Sequence, residues 1–206
     1  MNLKYAVFYV LEQFVINLIF DFFLNPFFNE STFLKCMKDN LAHGIISALI
    51  WKQFLLCKYE GSIFEKYWLV LYEIFIALTF SSLLDIDHFI AANSFNLKDA
   101  TNLQFRPFGH SIFFLFIVST FFYLYFESIN FSIMFFSSCF SHQIRDAKRR
   151  GLYVFEGVNT KPISNATYLF TILVLPYISY YTSNYLISSK KNKKEEFKSF
   201  QQLNIL

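Results

Sequence analysis

The stretch Leu83–Phe89 reads LLDIDHF and ends a long apolar segment with two carboxylates and an imidazole. That segment, 67–86, is about as long as a bilayer-crossing helix, which needs ~20 residues. Five further apolar segments are separated by short charged stretches and lie near 5–26, 40–57, 109–126, 129–144 and 166–187. The sequence therefore predicts an all-α, polytopic membrane protein with about six transmembrane helices.

The composition agrees with residence in a membrane. Of 206 residues, 55% are hydrophobic and only 16% are charged, whereas soluble domains carry roughly 25% charged residues. A soluble domain with this composition would expose more apolar surface than monomers tolerate. The net charge is +3, and no basic groove with interleaved aromatic residues points to nucleic acid. We expect the lipid bilayer as the main partner and an endomembrane such as the endoplasmic reticulum as the location; no protein partner is indicated.

The boundaries of the predicted spans follow from charge and length. The first span carries Glu12 and Asp21 and has no small-residue cleavage site, so we interpret it as a retained span and not a signal peptide. The apolar region 111–141 contains one charge, Glu127, and as one helix it would be about 46 Å long, too long for a ~30 Å hydrocarbon core. A hairpin at FESIN is therefore predicted. We assign 1–188 to one integral membrane domain and 189–206 to a polar, disordered tail.

Six crossings would bring four polar motifs, and all four histidines, to one membrane face. The motifs are DNLAHG with Asp39 and His43, LLDIDHF with Asp85, Asp87 and His88, RPFGHS with Arg106 and His110, and SHQIRDAKRRG with His142 and Asp146. Spacings of i,i+4 place two side chains on one helical face. Histidine and carboxylate together suit Zn²⁺, or Mn²⁺ or Fe²⁺ where oxygens outnumber nitrogens. The alternative is that these residues cap helix ends and reach into interfacial water.

Basic residues accompany the same motifs. Arg106, Arg145, Arg149 and Arg150 would bind an anion, such as a phosphate or a lipid headgroup, next to the ion. The alternative is a positive-inside signal that marks a cytoplasmic loop. The 18 lysines and arginines divide equally between the two predicted faces, so their distribution does not predict the orientation in the membrane.

Two further acidic residues lie inside predicted spans. Glu12 and Glu73 have no basic residue at a comparable depth in the sequence pattern. Carboxylates are expensive in hydrocarbon and indicate function by default, so they could line a proton path or a polar cavity. The alternative is a protonated acid bonded to a neighbouring helix. The three cysteines, Cys36, Cys57 and Cys139, are too scattered for a disulfide framework and are interpreted as apolar filler.

The polar motifs resemble blocks of the transmembrane protein 267 family, which are small multi-pass proteins of animals. The resemblance rests on DNLAHGII, DIDHFIAANSFNLKDA, RPFGHS and SHQIRDAKRRGLYVFEGVNTKPI, in that order. The family has no established biochemical activity, so the resemblance implies a membrane topology more than a function.

A more distant resemblance implies a chemical activity. The same motifs are similar to those of bacterial inner-membrane proteins of the LexA-binding family, described as metal-dependent hydrolases. The resemblance implies a metal site made from His43, Asp85, Asp87, His110, His142 and Asp146. Three residues depart from that pattern: Phe105 replaces a histidine, Gly109 a threonine and Leu84 a proline. The missing imidazole removes a ligand or a general acid/base, which affects catalysis more than metal binding.

Three functions are consistent with the sequence. The leading hypothesis is a metal-dependent, hydrolase-like site for an anionic or lipid substrate, in which a divalent ion, Zn²⁺ or Mn²⁺, lowers the pKa of water towards ~7. Its metal ligands would be Asp85, Asp87, His142 and Asp146, its catalytic residues His43 and His110, and its secondary candidates Asp39 and His88. The second hypothesis is a non-catalytic membrane protein whose cluster is structural or binds an ion. The third is a small transporter that uses Glu12 and Glu73, although no broken Gly/Pro helices appear in matched halves.

Overall fold

The structure, a computed structural model, describes residues 10–19, 31–60, 62 and 64–203, with side chains described up to residue 196. This part of the chain is mostly helical. In chain order the elements are α1 (Val10–Ile19), α2 (Thr32–Lys58), α3 (Tyr67–Leu83), α4 (Ile86–Ala92), α5 (Leu97–Thr101), a 3₁₀ turn (Phe108–His110), α6 (Ile112–Phe126), α7 (Ile129–Arg150), β1 (Tyr153–Phe155), β2 (Val158–Asn159) and α8 (Asn165–Leu203). Apart from the antiparallel β1–β2 hairpin, the prediction of an all-α fold is confirmed.

Helix α7 lies at the centre of the bundle and packs against α2, α3, α6 and α8. Its buried side chains are largely polar and include four serines, His142, Gln143 and Arg145. In contrast, α3 buries only Val70, Ala77 and Ser81, and α6 buries only Leu115 and Ser119. The polar helix is therefore inside the bundle and apolar side chains face outward, an arrangement that suits a lipid environment.

The α3–α4 region is the described part of the chain that is long and apolar enough to cross a membrane. Tyr67–Ala92 is 26 residues long and has a mean hydropathy of 1.9. Two shorter apolar helices, α1 and α6, do not reach the length of a span. The six predicted spans are therefore not all evident as apolar helices. In α7, the inward-facing polar residues lower the mean hydropathy. Much of the predicted span 5–26 lies outside the described residues.

The chain reverses direction between α6 and α7, as predicted for FESIN. Glu127 ends α6 with a left-handed backbone, φ 50°, and the Ser128 hydroxyl caps α7 by accepting from the Phe131 N–H. Ser119 and Ser132 then join the two helices, since their hydroxyls lie 2.8 Å apart and each donates to the other's carbonyl. Hydrogen bonds of this kind between membrane helices contribute about 0.6–2 kcal/mol, so they fix the two helices in register.

Helix α8 continues into the segment where the sequence predicts a disordered tail. The backbone is helical up to Leu203. Lysine, glutamate and glutamine are good helix formers, and Lys191 and Glu195 approach to 3.9 Å at i,i+4. Local propensity thus continues the helix beyond its apolar part, and the disordered tail at 189–206 stays a prediction.

The two acidic residues of the predicted spans have partners on helix α2. Both oxygens of Glu12 accept hydrogen bonds from the Lys52 ammonium, at 2.8 and 2.9 Å. Glu73 accepts a hydrogen bond from the Trp51 indole N–H, at 3.0 Å. The interpretation that Glu12 has no basic residue at its depth is wrong, because Lys52 lies across the helix interface. Both acids therefore have structural partners that hold the helices together.

Candidate metal centre

Three parts of the chain supply the central residues of the cluster. Helix α3 passes directly into α4 because Leu84 and Asp85 keep right-handed helical angles, while the Leu84 side chain is buried against α6 and α7. Asp85 lies at this junction. His110 ends the 3₁₀ turn before α6, and the Ser111 hydroxyl caps that helix by accepting from the Phe114 N–H. His142 projects from the last turns of α7, so the cluster joins three separate parts of the chain.

The centre of the cluster is a set of three acceptor atoms that face one point. The Nε2 atoms of His110 and His142 lie 3.3 Å apart. Oδ1 of Asp85 lies 3.3 Å from the Nε2 of His142 and 3.5 Å from that of His110. A tetrahedral Zn²⁺ with bonds of about 2.0–2.1 Å places its ligand atoms about 3.3–3.4 Å apart. The spacing of these three atoms therefore matches one face of a tetrahedral metal site.

Hydrogen bonds on the far side of each ring fix which nitrogen faces the centre. His142 Nδ1 lies 2.8 Å from the Ser81 carbonyl, which can only accept, so this nitrogen carries the hydrogen. His110 Nδ1 lies 2.8 Å from Oδ2 of Asp87. When the rings are neutral, both Nε2 lone pairs point inward. A metal-bound histidine normally donates its other N–H to a carboxylate or a carbonyl, and both histidines have this arrangement.

Asp146 and His43 extend the cluster along one side. Oδ2 of Asp146 lies 3.8 Å from the His142 Nε2 and 4.0 Å from the His110 Nε2. Its other oxygen lies 3.6 Å from the Nε2 of His43. The His43 ring stacks on His142 with centroids 3.6 Å apart, and its buried Nδ1 has no hydrogen-bond partner among the described residues. His43, His142 and Asp146 thus form one group that could hold a metal ion, and Asp85, His88 and His110 form an adjoining one.

Asp87 and His88 support the centre from outside. The two oxygens of Asp87 accept from His110 Nδ1 at 2.8 Å and from His88 Nδ1 at 3.0 Å. Both oxygens are therefore engaged in orienting imidazoles. Gly109 leaves the space for this carboxylate, because a Cβ at position 109 would lie 2.5 Å from Oδ2 of Asp87. The close approach of this carboxylate thus explains why the chain has glycine where the bacterial pattern has threonine.

Asp39 and the arginines form an ionic layer over His43. Arg145 donates a short hydrogen bond to Asp39, and Arg149 bridges Asp39 and Asp146 at 2.9 and 2.6 Å. Burial would raise the pKa values of Asp39 and Asp146. The facing histidines and arginines outweigh that effect and hold both pKa values below their ordinary range. Both carboxylates are therefore charged at neutral pH.

The four arginines predicted to bind an anion differ in their contacts. Arg145 and Arg149 neutralise carboxylates, and Arg106 donates to the Gly151 carbonyl at 2.7 Å. Arg150 is exposed, and no ion pair or hydrogen bond of its side chain is seen within the described parts of the chain. Arg106 and Arg150 are thus the two of the four whose charge no carboxylate neutralises within the described residues.

Several residues contribute to the site although no sequence pattern identifies them. Asn40 donates to Oδ2 of Asp85 at 3.0 Å and to the Ser82 carbonyl at 2.8 Å, so it holds the carboxylate in place. The Ser81 carbonyl orients His142, which no side-chain pattern can reveal. Phe105, which replaces a histidine in the bacterial pattern, is 66% exposed and lies on the wall of a cavity beside the centre.

The fold and the cluster define an integral membrane protein that carries a buried His/Asp site at one end of its helix bundle. The chain belongs to the transmembrane protein 267 family and to the YdjM inner membrane protein family, whose model matches residues 37–201. Both resemblances drawn from the sequence motifs are thereby confirmed, as is the integral membrane location.

Curated relatives agree on the name and span most of the chain. Transmembrane protein 267 of Danio rerio is 31% identical over 166 residues, which is 77% of this chain and 72% of the relative. The Mus musculus protein is 26% identical, over 74% and 71% of the two chains, and the Bos taurus protein is 28% identical, over 81% and 79%. No solved structure matches this chain.

Substitution of Gly109 tests the support that Asp87 gives to His110. In Gly109→Ala the new Cβ displaces the Asp87 carboxylate, so His110 loses the acceptor that orients it. We expect the affinity for a divalent ion to fall about 10–100-fold, measured by competition with a chromogenic chelator.

The double variant Gly109→Ala/Asp87→Ala provides the control. If Gly109→Ala acts through Asp87, it adds little to the loss caused by Asp87→Ala alone, because coupled residues are non-additive. Additive losses from the two substitutions would contradict this account.

Proposed function

We propose that this protein is a membrane-embedded, metal-dependent hydrolase-like protein that acts on an anionic or lipid substrate at one membrane face. Asp85, His110 and His142 would hold the ion, and Asp146 would flank the fourth position. The observation that carries the proposal is the convergence of three acceptor atoms at 3.3–3.5 Å with both imidazoles oriented from behind. Three protein ligands with an open fourth position are typical of catalytic zinc sites.

The proposed roles differ from those expected from the sequence for two residues. His110 becomes a metal ligand instead of a proton carrier, because its Nε2 faces His142 and Asp85. Asp87 becomes the residue that orients His110, because both of its oxygens accept hydrogen bonds from imidazoles. A divalent ion in this site, Zn²⁺ or Mn²⁺, would polarise a water molecule and lower its pKa towards about 7.

His43 is the proposed proton carrier of the reaction. Its Nε2 lies 3.6 Å from Asp146 and 3.8 Å from Asp39, and Nη1 of Arg145 lies 3.5 Å from the same nitrogen. The neutral ring would therefore be the form that accepts a proton from the reacting water. A general base within reach of the reacting water contributes typically 10²–10⁴-fold to a rate. Asp39 and His88 would act through their neighbours, Asp39 by holding Arg145 and Arg149 and His88 by sharing Asp87 with His110.

A non-catalytic role is the second candidate, and Phe105 favours it. An aromatic ring at this position supplies neither a ligand nor an acid/base group. In that case a proton on His110 or His142, shared with Asp85, could supply the positive charge that the three acceptors need. Transport has less support, because Glu12 is paired with Lys52 and Glu73 is bonded to Trp51.

Metal content tests the first candidate against the second. We expect the purified protein to bind about one Zn²⁺ or Mn²⁺ per chain. Asp85→Ala and His142→Ala should each lower the bound metal at least about tenfold, because each removes one of three ligands and leaves the site incomplete. The measurement is elemental analysis by mass spectrometry after extensive dialysis.

Glu156→Ala is the matched control, since Glu156 is an exposed carboxylate in the β1–β2 turn and should leave the metal content unchanged. Wild-type protein without bound metal, or equal metal in wild type and Asp85→Ala, would exclude the metal-dependent function.

We also propose that the chain crosses the membrane several times, with the cluster at one face. The turn at Glu127 and the β1–β2 turn at Gly157 should then lie on opposite sides. Acceptor sites for N-glycosylation, inserted with spacers at these two turns, should be modified in only one of the two proteins when expressed in microsomes.

A third acceptor site, appended after Leu206, should behave like the one at Glu127. Modification at both Glu127 and Gly157 would contradict the proposed topology.

A further inference from the structure

A large cavity opens directly on the candidate metal centre. Its volume is about 870 Å³, within the range of about 300–1,000 Å³ that is typical of ligand pockets. The first three turns of α2, the end of α3 and the α4–α5 region form its walls. Asp85 and Asp146 of the cluster lie on its surface, so a molecule in this cavity would reach the proposed ion.

The cavity is lined by both charged and apolar side chains. The charged ones include Asp39, Asp85, Asp146, Arg149 and Arg150. The apolar ones are aliphatic and aromatic and include Met37, Leu41, Leu78, Phe89, Leu103 and Phe105. A small hydrophilic ligand would leave that apolar surface uncovered. This mixed lining therefore favours a ligand with a charged head and an apolar chain.

Polar side chains of the cavity and of an adjoining pocket can bind an anion. Arg150 has no ionic partner within the described residues and lines both this cavity and a smaller adjoining pocket. In the smaller pocket, Gln143 is 4% exposed and neither of its amide atoms has a hydrogen-bond partner. The Nη2 of Arg106 is also buried without a partner there. The pocket volume of about 20 Å³ has room for one water-sized oxygen.

We infer that the cavity binds a membrane lipid with a phosphate headgroup, with the phosphate at Arg150, Arg106 and Gln143 and one acyl chain along Leu41 and Leu78. This inference rests on the proposed metal-dependent function and specifies its substrate class. Phe105 then has a positive role, because an aromatic ring in place of a histidine extends the apolar wall.

The position of the bound acyl chain is a better test of this inference than the affinity of the lipid. An acyl chain that moves from the bilayer into an apolar cavity exchanges one apolar environment for another, so a longer chain gains little. The experiment therefore uses metal-loaded, full-length protein in phosphatidylcholine nanodiscs. The probe is a monoacylglycerol phosphate with a photoreactive diazirine in its acyl chain, and the control probe is the matching monoacylglycerol without phosphate.

We expect the phosphate probe to label peptides that contain Met37–Leu41, Phe89 or Phe105. Leu41→Trp should reduce this labelling by a factor of about five or more, because the larger indole would occupy the place along Leu41 and Leu78 that the acyl chain takes. Leu41 is 52% exposed, so the protein should tolerate the larger ring, and Met37→Trp provides a second variant. Ile117→Trp, on the outward face of α6, is the control and should not change the labelling.

Arg150→Gln should reduce labelling by the phosphate probe and leave labelling by the uncharged probe unchanged. Labelling that spreads over outward residues such as Phe75 and Phe113, or that Leu41→Trp leaves unchanged, would overturn the inference. Metal analysis of the same samples separates the two proposals. Bound metal without labelling of the cavity would refute only the lipid site, and labelling of the cavity without bound metal would refute only the metal-dependent function.

Discussion

Three acceptor atoms of His110, His142 and Asp85 face one another at 3.3–3.5 Å, and neutral imidazoles place no hydrogen between them. Such an arrangement is repulsive unless a positive charge lies at its centre. The rings cannot turn away, because the Ser81 carbonyl and the Asp87 carboxylate hold their Nδ1 atoms. A proton on one imidazole or a bound cation would supply this charge, and the fixed positions of the two rings are the constraint on which the rest of the site depends.

The arrangement of the bundle follows from the same constraint. Helix α7 supplies His142 and Asp146 and therefore carries too many polar residues to face lipid. It lies between α2, α3, α6 and α8, which surround it. The outward surfaces of α3 and α6 are apolar and include Trp68, Phe75 and Phe116. The protein thus buries its polar helix and exposes its apolar ones, as expected when lipid is the solvent.

The sequence predicts the residues of the cluster better than their roles. The i,i+4 pairs Asp39/His43 and His142/Asp146 and the LLDIDHF motif are local patterns, and the predicted membrane topology brings them to one face. The proposed division of roles between His110 and Asp87 could not be predicted, because it depends on which nitrogen of His110 faces inward. The contribution of the Ser81 carbonyl could not be predicted either, since any residue can supply a backbone oxygen.

The same limit applies to the fold. The α6–α7 hairpin was predictable because the largely apolar region 111–141, as one helix, would exceed one crossing of the hydrocarbon core. The pairing of Glu12 with Lys52 depends on how α1 and α2 pack, which charge spacing along one helix does not indicate. The polar composition of 189–206 predicts a disordered tail. The backbone of α8 is nevertheless helical up to Leu203, because its residues have a high local helix propensity.

X-ray absorption at the zinc edge of the metal-loaded protein tests the central claim most directly. We predict nitrogen and oxygen ligands at about 2.0–2.1 Å, with outer scattering from two imidazole rings and no sulfur. A sulfur shell at about 2.3 Å, or a spectrum without imidazole scattering, would contradict the assignment of His110 and His142 as ligands.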